Sequence, residues 1–441
     1  MPAYPNILFL FPDQWRWDYL GCHDGSSTPY GNAPVRTPNL NALAQRGTRF
    51  TQCRTNSPVC SPARACLAQG RRYPHCGVSD NHQSTPTPPD AQPTVFRLLR
   101  DAGYHTMTCG KSDLFKPDPT ENPSGYLPVM DHLGFADGID HRGKGDAVHR
   151  ARHGIAEPYT LMLRERGLLQ THLDDHPDAI LQRPARPTPL PDDAHTDAFA
   201  TQNALSLLQR APADHPWLLW VNFPGPHDPY DPPADVLATY PNAAFPPPVN
   251  PQPNAPAHRD AAVDRPHYAA SCTYLDTLIG QIFDALAQRG ELDRTLIVFA
   301  SDHGDMLGDH GRWTKQVPHE SSVRVPLILA GPGVPTATVQ HELVELIDIS
   351  ATLLTVAGLD IPPHWDAQPL PLPGPVPLPP RRYTHSALNH WQSITTLTHK
   401  LVIEDDQPTH LFDLQAEPAE QHNVIEHDPQ TAEHLQTFLP A

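Results

Sequence analysis

Short apolar runs alternate with longer amphipathic stretches along the first 360 residues of this chain, and this alternation is the feature that most constrains its fold. Apolar runs of this length are typical of buried strands, whereas the longer stretches are typical of helices. Strands that alternate with helices predict an α/β fold with a large, mostly parallel sheet flanked by helices on both faces. The predicted strands are residues 7–11, 104–109, 217–223, 295–301 and 325–330.

The end signals of two helices are present in the sequence. Thr94 offers a hydroxyl cap for a helix that runs to Asp101 and is ended by Gly103. A longer helix over residues 267–289 is stopped by Gly290. Each predicted helix leads into one of the predicted strands, as expected for an α/β fold.

Two segments depart from this alternation. Residues 111–195 are rich in Pro, His, Asp and Arg, and they predict one clear helix, near residues 159–166. Residues 241–257 predict a proline-rich loop. We interpret both segments either as excursions over an active-site face or as ordinary surface loops.

Proline accounts for 55 of the 441 residues, and its clusters suggest how the chain is divided. Residues 362–380 (PPHWDAQPLPLPGPVPLPP) predict a stiff linker, because proline stiffens a chain without joining a sheet. Residues 381–441 contain short β-like runs and a terminal helix near residues 429–438, which predict a small α+β subdomain. We therefore predict a catalytic domain over residues 1–361, followed by the linker and the subdomain.

Composition excludes several classes of partner. The net charge of −18 argues against a nucleic-acid partner, which requires a basic face. No apolar run approaches the roughly 20 residues that span a bilayer, so we expect no membrane association. The first residues lack the basic region and cleavage site of a signal peptide, and the seven cysteines are odd in number. Reduced thiols in a cytoplasmic protein are the expected state, and the sequence gives no indication of oligomeric state.

Polar pairs follow four of the predicted strands. They are Asp13-Gln14, Gly110-Lys111, His227-Asp228 and Asp302-His303. Ligands of parallel sheets bind at the carboxyl ends of the strands, so these pairs are expected to share one site. Carboxylate, amide and imidazole groups at the ends of two strands suit a single divalent cation.

The most informative stretch is residues 57–71 (SPVCSPARACLAQGR). Pro62 suits the first turn of a helix, and Ser61 is a candidate cap, so Cys60 is expected at a helix N-terminus. Free backbone N–H groups and the helix dipole favour an anion there. Arg64 lies one turn further along the helix and could bind the same anion.

The C-x-P-x-R frame around Cys60 resembles the signature of the type I sulfatases, members of the alkaline-phosphatase-like superfamily. In that family the cysteine is oxidised to formylglycine by a maturation enzyme. Further motifs resemble the family in the same order along the chain. They are residues 5–18, 37–40, 43–44, 77–81, 94–103, 110–111, 299–308, 313–329 and 410–423.

This resemblance implies an alkaline-phosphatase-like fold and a sulfatase that hydrolyses small-molecule or saccharide sulfate esters through a formylglycine formed from Cys60. It implies one divalent cation, Ca²⁺ or alternatively Mn²⁺, held by Asp13, Gln14, Asp302 and His303. Lys111, Lys315 and Arg64 would hold the sulfate oxygens, and His227 would protonate the leaving group. A formylglycine-generating maturation enzyme is then the expected protein partner.

Two features depart from the common pattern of the family. Many sulfatases carry a histidine where Asp113 stands, and we expect Asp113 to orient Lys111 or to pair with Lys116. Gln14 and His303 replace the more frequent Asp and Asn, and this combination also occurs in phosphonate monoester hydrolases and choline-sulfatase-like enzymes.

Three alternative functions follow from these residues. The first is a phosphonate monoester hydrolase or phosphodiesterase of the same superfamily, since Arg16 follows the Asp-Gln pair as in those enzymes. The second is a protein that binds sulfated ligands without turnover, which retention of the nucleophile and metal positions disfavours. The third is a Cys-His hydrolase that uses unmodified Cys60, for which no local signature is present.

Overall fold

The structure is a computed structural model that describes residues 4–23, 30–31, 33–86, 92–115, 124–176, 183–241, 243–253, 256–372 and 379–439. Its strands in the larger sheet are β1 (Asn6–Asp13), β2 (Gly47–Arg54), β3 (His105–Gly110), β4 (Asp137–Asp140), β5 (Trp217–Pro226), β6 (Thr295–Ala300), β7 (Leu327–Ala330) and β8 (Thr338–Glu345). Those in the smaller sheet are β9 (Thr384–Leu388), β10 (Trp391–Thr395), β11 (His399–Glu404) and β12 (Gln407–Asp413).

The described helices lie around the larger sheet and, at the C-terminal end of the chain, on the smaller one. They are α1 (Pro38–Gln45), α2 (Cys60–Gln69), α3 (Tyr73–Cys76), α4 (Val95–Asp101), α5 (Pro128–Leu133), α6 (Lys144–Arg152), α7 (Pro158–Glu165), α8 (Leu169–Asp175), α9 (Thr196–Arg210), α10 (Ala234–Leu237), α11 (Ala261–Gln288), α12 (Glu320–Val323), α13 (Asp348–Val356) and α14 (Pro429–Gln436). Among them, none combines the length and apolarity that crossing a membrane requires.

The larger sheet has the strand order β4-β3-β5-β1-β6-β7-β2-β8. All neighbouring pairs are parallel except those that involve β7, which runs antiparallel to both β6 and β2. The chain between β6 and β7 contains only short helical segments among residues 301–326, so it returns to the sheet from the edge at which β6 ended. The predicted mostly parallel sheet is confirmed.

Strand β1 is central and buried along its whole length. Its side chains alternate between two apolar layers, because successive residues of a strand point to opposite faces. Phe9 and Phe11 pack with Trp220 on one face, where α2, α4 and α13 cover the sheet. Leu8 and Leu10 belong to the other layer, which is covered by α1, α9 and α11.

Helix α4 begins as predicted, because the Thr94 hydroxyl accepts a hydrogen bond from the Arg97 backbone N–H at 3.1 Å. Helix α11 begins at Ala261, six residues before the predicted start. Asp260 caps it by accepting from the Ala262 N–H at 2.9 Å, and Pro266 is tolerated inside the helix. The predicted start was wrong because a proline normally ends a helical pattern.

The prediction of a single helix within residues 111–195 was also wrong. Helix α7 lies where that helix was expected, but α5, α6, α8 and the edge strand β4 lie in the same segment. Helices α6 and α7 bury little apolar surface, with Ala147, Tyr159 and Leu163 in a small separate cluster, and α5 is only six residues long. Their helical periodicity is therefore weak in the sequence, and the polar edge strand has no apolar run to reveal it.

The small antiparallel sheet, in the order β12-β11-β10-β9, and α14 lie in the C-terminal segment as predicted. Ile394, Leu401 and Leu435 belong to its own apolar cluster. Within the predicted linker, Trp365 and Leu370 are buried in the core of the larger sheet. The residues 373–378 of that segment lie outside the described part of the chain, and the division into domains remains a prediction.

Candidate active site

The polar groups predicted to share one site follow strands that are neighbours in the sheet. Asp13 is the last residue of β1, and Asp302 follows the end of β6 by two residues. Lys111 follows β3 directly, and His227 follows β5 directly. Since these strands are parallel, their carboxyl ends meet at one edge, where we find the cluster described below.

Helix α2 brings Cys60 to this edge. The helix begins at Cys60 itself, with Val59 in the extended N-cap position, so the predicted cap at Ser61 was wrong. Valine has no side-chain acceptor, and the Ser61 backbone N–H instead donates to Asn81 Oδ1 at 2.9 Å. Asn81, which lies in a separate loop, thus caps helix α2. Local sequence signals did not reveal this role.

Four buried side chains form a group whose ligand atoms lie within 4.8 Å of one another. They are Asp13, Cys60, Asp302 and His303. Cys60 Sγ lies 3.4 Å from His303 Nε2, which in turn lies 3.6 Å from Asp13 Oδ1 and 3.7 Å from Asp302 Oδ1. The other imidazole nitrogen, Nδ1, is 3.0 Å from the Gly304 carbonyl and must donate to it. With Nδ1 engaged in this way, Nε2 is the His303 nitrogen that faces the cluster.

Gln14 completes the predicted ligand set. Its φ of 68° is in the left-handed region, and its backbone N–H donates to Asp302 Oδ1 at 3.0 Å. Its side-chain amide donates to Asp305 Oδ2 at 2.5 Å and to Asp228 Oδ1 at 3.3 Å. Within the described ranges its buried Oε1 accepts no hydrogen bond. The two carboxylates, the imidazole nitrogen and the unpartnered amide oxygen are a set of ligand types that fits a divalent cation.

Arg64 is buried beneath these ligands. Its Nε donates to Asp302 Oδ2 at 3.0 Å, and its Nη2 lies 3.5 Å from Asp13 Oδ2. Nη1 donates to the Lys111 carbonyl at 2.7 Å and to Asn222 Oδ1 at 2.9 Å. These contacts use four of the five guanidinium N–H groups. Arg64 therefore orients the two carboxylates, whereas the resemblance implied that it holds the substrate anion directly.

Two lysines flank the Cys60 sulfur. Lys315 Nζ is 2.9 Å from Sγ and 3.9 Å from Asp13 Oδ1, and Lys111 Nζ forms a salt bridge with Asp13. Burial and Asp13 act to raise the pKa of the Cys60 thiol, but Lys111, Lys315 and His303 outweigh them and hold this pKa well below its usual value. The site is thus built to hold negative charge at the Cys60 position.

Asp113 pairs with Lys111, as the sequence predicted, with 3.3 Å between Oδ2 and Nζ. The alternative partner, Lys116, lies outside the described residues. Asp113 has a φ of 52°, an unusual conformation for a residue other than glycine. Its carboxylate therefore balances a cation at the site, where many sulfatases carry a histidine.

His227 lies beside the nucleophile and is partly accessible from the cavity described below. Its Nδ1 is 2.6 Å from the Asp228 carbonyl and donates to it, which leaves Nε2 for the reacting groups. Burial and Lys315 lower the pKa of His227, but Asp228, Asp13 and a hydrogen bond with Cys60 raise it above its usual value. Lys144, which the sequence did not single out, holds this loop by donating to the His227 carbonyl at 3.0 Å and to Asp231 at 2.5 Å.

One cavity of about 1110 Å³ connects these groups to solvent. Cys60, Lys111, His227 and Lys315 all line it. Its outer wall is formed by the segment 142–155, which contains α6, and by residues 79–82 on another side. A cavity of this size accommodates a substrate considerably larger than a sulfate group.

Comparisons with known proteins agree with this geometry. The family model described as Sulfatase matches residues 5–359. An arylsulfatase of Clostridium perfringens is 29% identical over 81% of this chain and 76% of its own length. A choline-sulfatase of Rhizobium meliloti is 29% identical over 96% of this chain and 82% of its own length. The crystal structure of the phosphonate monoester hydrolase of Agrobacterium radiobacter superposes with a TM-score of 0.79 and 25% identity, covering 98% of this chain and 94% of that one.

The family model spans most of the chain, and the structural similarity extends over nearly all of it. The alkaline-phosphatase-like fold that the motifs predicted is therefore confirmed. The sequence motifs, the fold and the comparisons lead to the same assignment. The chain belongs to the sulfatase family.

Proposed function

We propose that the protein hydrolyses sulfate esters at the Cys60 site. The observation that carries this proposal is the position of Cys60 Sγ, 2.9 Å from Lys315 Nζ and 3.4 Å from His303 Nε2, in the wall of the large cavity. A sulfate ester is anionic, and flanking cations are required before a nucleophile can approach it. A buried cysteine serving packing alone would not need this charged surrounding.

The residues of the site fit the two groups that the family uses, a divalent cation and a formylglycine. Asp13, Gln14, Asp302 and His303 would hold a divalent cation, Ca²⁺ or alternatively Mn²⁺, and Cys60 would be the residue converted to formylglycine. When present, the cation supplies Lewis-acid activation and the formylglycine supplies a hydroxyl nucleophile. A maturation enzyme would then be required before the protein is active.

The remaining roles follow from the contacts of each side chain. Lys315 and Lys111 bind the non-bridging oxygens of the ester, and Arg64 keeps the carboxylates of Asp13 and Asp302 in place. His227 donates a proton from Nε2 to the departing oxygen, while its Nδ1–H remains bonded to the Asp228 carbonyl.

A phosphonate monoester hydrolase remains the second candidate function. It is favoured by the similarity to the Agrobacterium radiobacter enzyme and by the Gln14–His303 combination. Protein co-expressed with a formylglycine-generating enzyme should be tested on 4-nitrophenyl sulfate and on a matched 4-nitrophenyl phosphonate monoester. We expect a higher kcat/KM for the sulfate, whereas a clear preference for the phosphonate would favour the second candidate.

Replacing His227 by alanine should affect substrates according to their leaving groups. An alkyl or sugar alcohol departs poorly without a proton, so we expect kcat to fall by roughly 10²–10⁴-fold for such sulfates. A nitrophenolate departs without protonation, and its loss should be less than about tenfold. Steady-state kinetics on the two substrate types measures this difference.

His82→Ala is the matched control for this variant, because His82 lines the same cavity but lies on the exposed loop beyond the nucleophile. It should show no dependence on the leaving group. Equal losses for both leaving groups in the His227 variant would mean that another residue supplies the proton.

A further inference from the structure

The wall of the cavity beyond Cys60 contains a buried arginine, Arg142, that forms no direct ion pair within the described residues. Arg142 lines the cavity and follows β4, the strand next to β3, as Lys111 follows β3. The His141 N–H donates to the Gly110 carbonyl at 3.1 Å, which ties the two strand ends together. Gly143 packs so closely on the Lys111 side chain that a Cβ there would lie 2.8 Å from Lys111 Cε. Arg142 is therefore adjacent to the anion-binding lysine.

Arg142 is only 6% exposed, yet within the described part of the chain its guanidinium forms no ion pair. Its Nη1 donates to the Phe115 carbonyl at 3.2 Å, and its Cζ lies 5.3 Å from the centre of the Phe115 ring. Six other arginines that are buried to a similar extent have carboxylate partners. These pairs are Arg16 with Asp18, Arg54 with Glu320, Arg64 with Asp302, Arg183 with Asp175, Arg259 with Asp228, and Arg265 with Asp309.

No carboxylate of the described residues forms a direct ion pair with Arg142, although Asp140, which accepts a hydrogen bond from Ser112 Oγ at 2.6 Å, is an opposite charge near it. Asp113 faces Lys111, and Asp228 faces Arg259 and His227. A buried cation whose opposite charge is not in direct contact with it is only partly compensated in the unliganded protein, which costs free energy. Such a cost is recovered when a ligand brings the opposite charge into the site, and the cavity that Arg142 lines is the one that leads to Cys60.

We infer that Arg142 binds a second anionic group of the substrate while the scissile sulfate lies at Cys60. The preferred substrates are thus sulfate esters that also carry a carboxylate or a further sulfate. Neighbouring strands are about 4.8 Å apart, so the second anion lies roughly 5–10 Å from the scissile sulfur. The planar guanidinium suits either anion, because both accept two parallel hydrogen bonds. This inference rests on the proposed sulfatase function.

A pair of synthetic esters tests the inference. The probes are 4-carboxyphenyl sulfate and the methyl ester of the same compound, which lacks the negative charge. Each variant is compared with the wild type on the same probe, so the difference between the two leaving groups cancels. In Arg142→Met we expect KM for the carboxylate probe to rise at least about tenfold more than KM for the methyl ester, with kcat little affected.

Arg142→Lys should retain part of the difference in KM between the two probes that Arg142→Met loses, because lysine keeps the charge but not the bidentate geometry. Arg152→Met is the matched control: Arg152 lines the same wall, but its Nη2 donates to the Leu173 carbonyl at 3.1 Å, and both probes should respond alike. Unliganded Arg142→Met should melt near the wild-type temperature, since it breaks no direct ion pair.

An equal change of KM for the two probes in Arg142→Met would overturn the inference. If the melting temperature of that variant also fell markedly, Arg142 would have a structural role instead. Failure of the proposed function would be recognised separately. In that case the wild type would hydrolyse neither sulfate probe while hydrolysing a phosphonate monoester.

Discussion

Replacing Cys60 by alanine should abolish turnover, lowering kcat by at least about 10⁴-fold, while the protein remains folded. The Cys60 sulfur is the point at which Lys315, His303 and Asp13 converge, at 2.9, 3.4 and 3.7 Å. Alanine keeps the Cβ and is the most favourable residue in a helix, so α2 should retain its first turn. Kinetics on 4-nitrophenyl sulfate and a thermal melt measure the two expectations.

The chain offers a matched control in the same helix. Cys66 lies six residues after Cys60 in α2 and is buried in the apolar core. Cys66→Ala should cost about 1 kcal/mol of stability through lost packing, yet should leave turnover intact. If both variants lost activity to the same extent, disruption of α2 would explain the result, and the Cys60 assignment would lose its support.

The chemical state of Cys60 can be tested without a kinetic assay. In protein matured with a formylglycine-generating enzyme, the mass of the peptide that contains Cys60 should correspond to the aldehyde. Protein produced without that enzyme should retain the thiol and should be inactive. Full activity with an unmodified thiol would instead favour the Cys-His hydrolase, which lacks a sequence signature here.

The sequence predicted the central part of the site because its signals are local. Apolar runs followed directly by polar pairs define the ends of β1 and β6, which carry Asp13 and Asp302. In a parallel sheet such ends must share one edge, so the juxtaposition of these residues follows from periodicity alone. The position of Cys60 at a helix start follows in the same way from the proline that comes two residues later.

The contacts of individual side chains could not be predicted in this way. Arg64 stands one turn from Cys60, which suggested a shared anion, but the fold brings two carboxylates to its guanidinium. Those partners are distant in sequence, with Asp302 separated from Arg64 by 238 positions. Pairing of buried charges therefore depends on tertiary structure, and a motif indicates that an arginine is needed without indicating which group it holds.

The outer wall of the cavity escaped prediction for a different reason. Helix α6 presents Lys144 to the His227 loop and polar groups to the cavity, and it buries few apolar residues. A helix without an apolar stripe lacks the periodicity from which helices are recognised. The segment that would discriminate between substrates is thus the one in which the sequence carries the weakest structural signal.

Removal of the proposed cation should eliminate activity, and Asp302→Asn should have nearly the same effect. Asp302 accepts hydrogen bonds from Arg64 Nε, the Gln14 N–H and the His303 N–H, all at 3.0 Å. Asparagine removes the negative charge and would direct an NH₂ group toward one of these donors. We expect metal affinity to fall by more than about a hundredfold, and activity to fall with it.

His303→Asn is the informative comparison, because asparagine occupies this position in other family members and retains an oxygen donor. It should weaken metal binding less than Asp302→Asn does. Metal content after dialysis against a chelator, measured by elemental analysis, gives the order of affinities independently of turnover. Restoration with Ca²⁺ and with Mn²⁺ in parallel identifies the cation that the site prefers.

Thermal stability provides the second readout for the cation. An ion that binds only the folded protein stabilises it by RT ln(1 + [L]/Kd), so adding Ca²⁺ to chelator-treated wild type should raise the melting temperature. Asp302→Asn should show little of this stabilisation. Arg64, Lys111 and Lys315 already balance the carboxylates at the site, and the metal-free protein should therefore stay folded. Undiminished turnover in a fully demetallated sample, or a larger loss in His303→Asn than in Asp302→Asn, would contradict the assignment of these ligands.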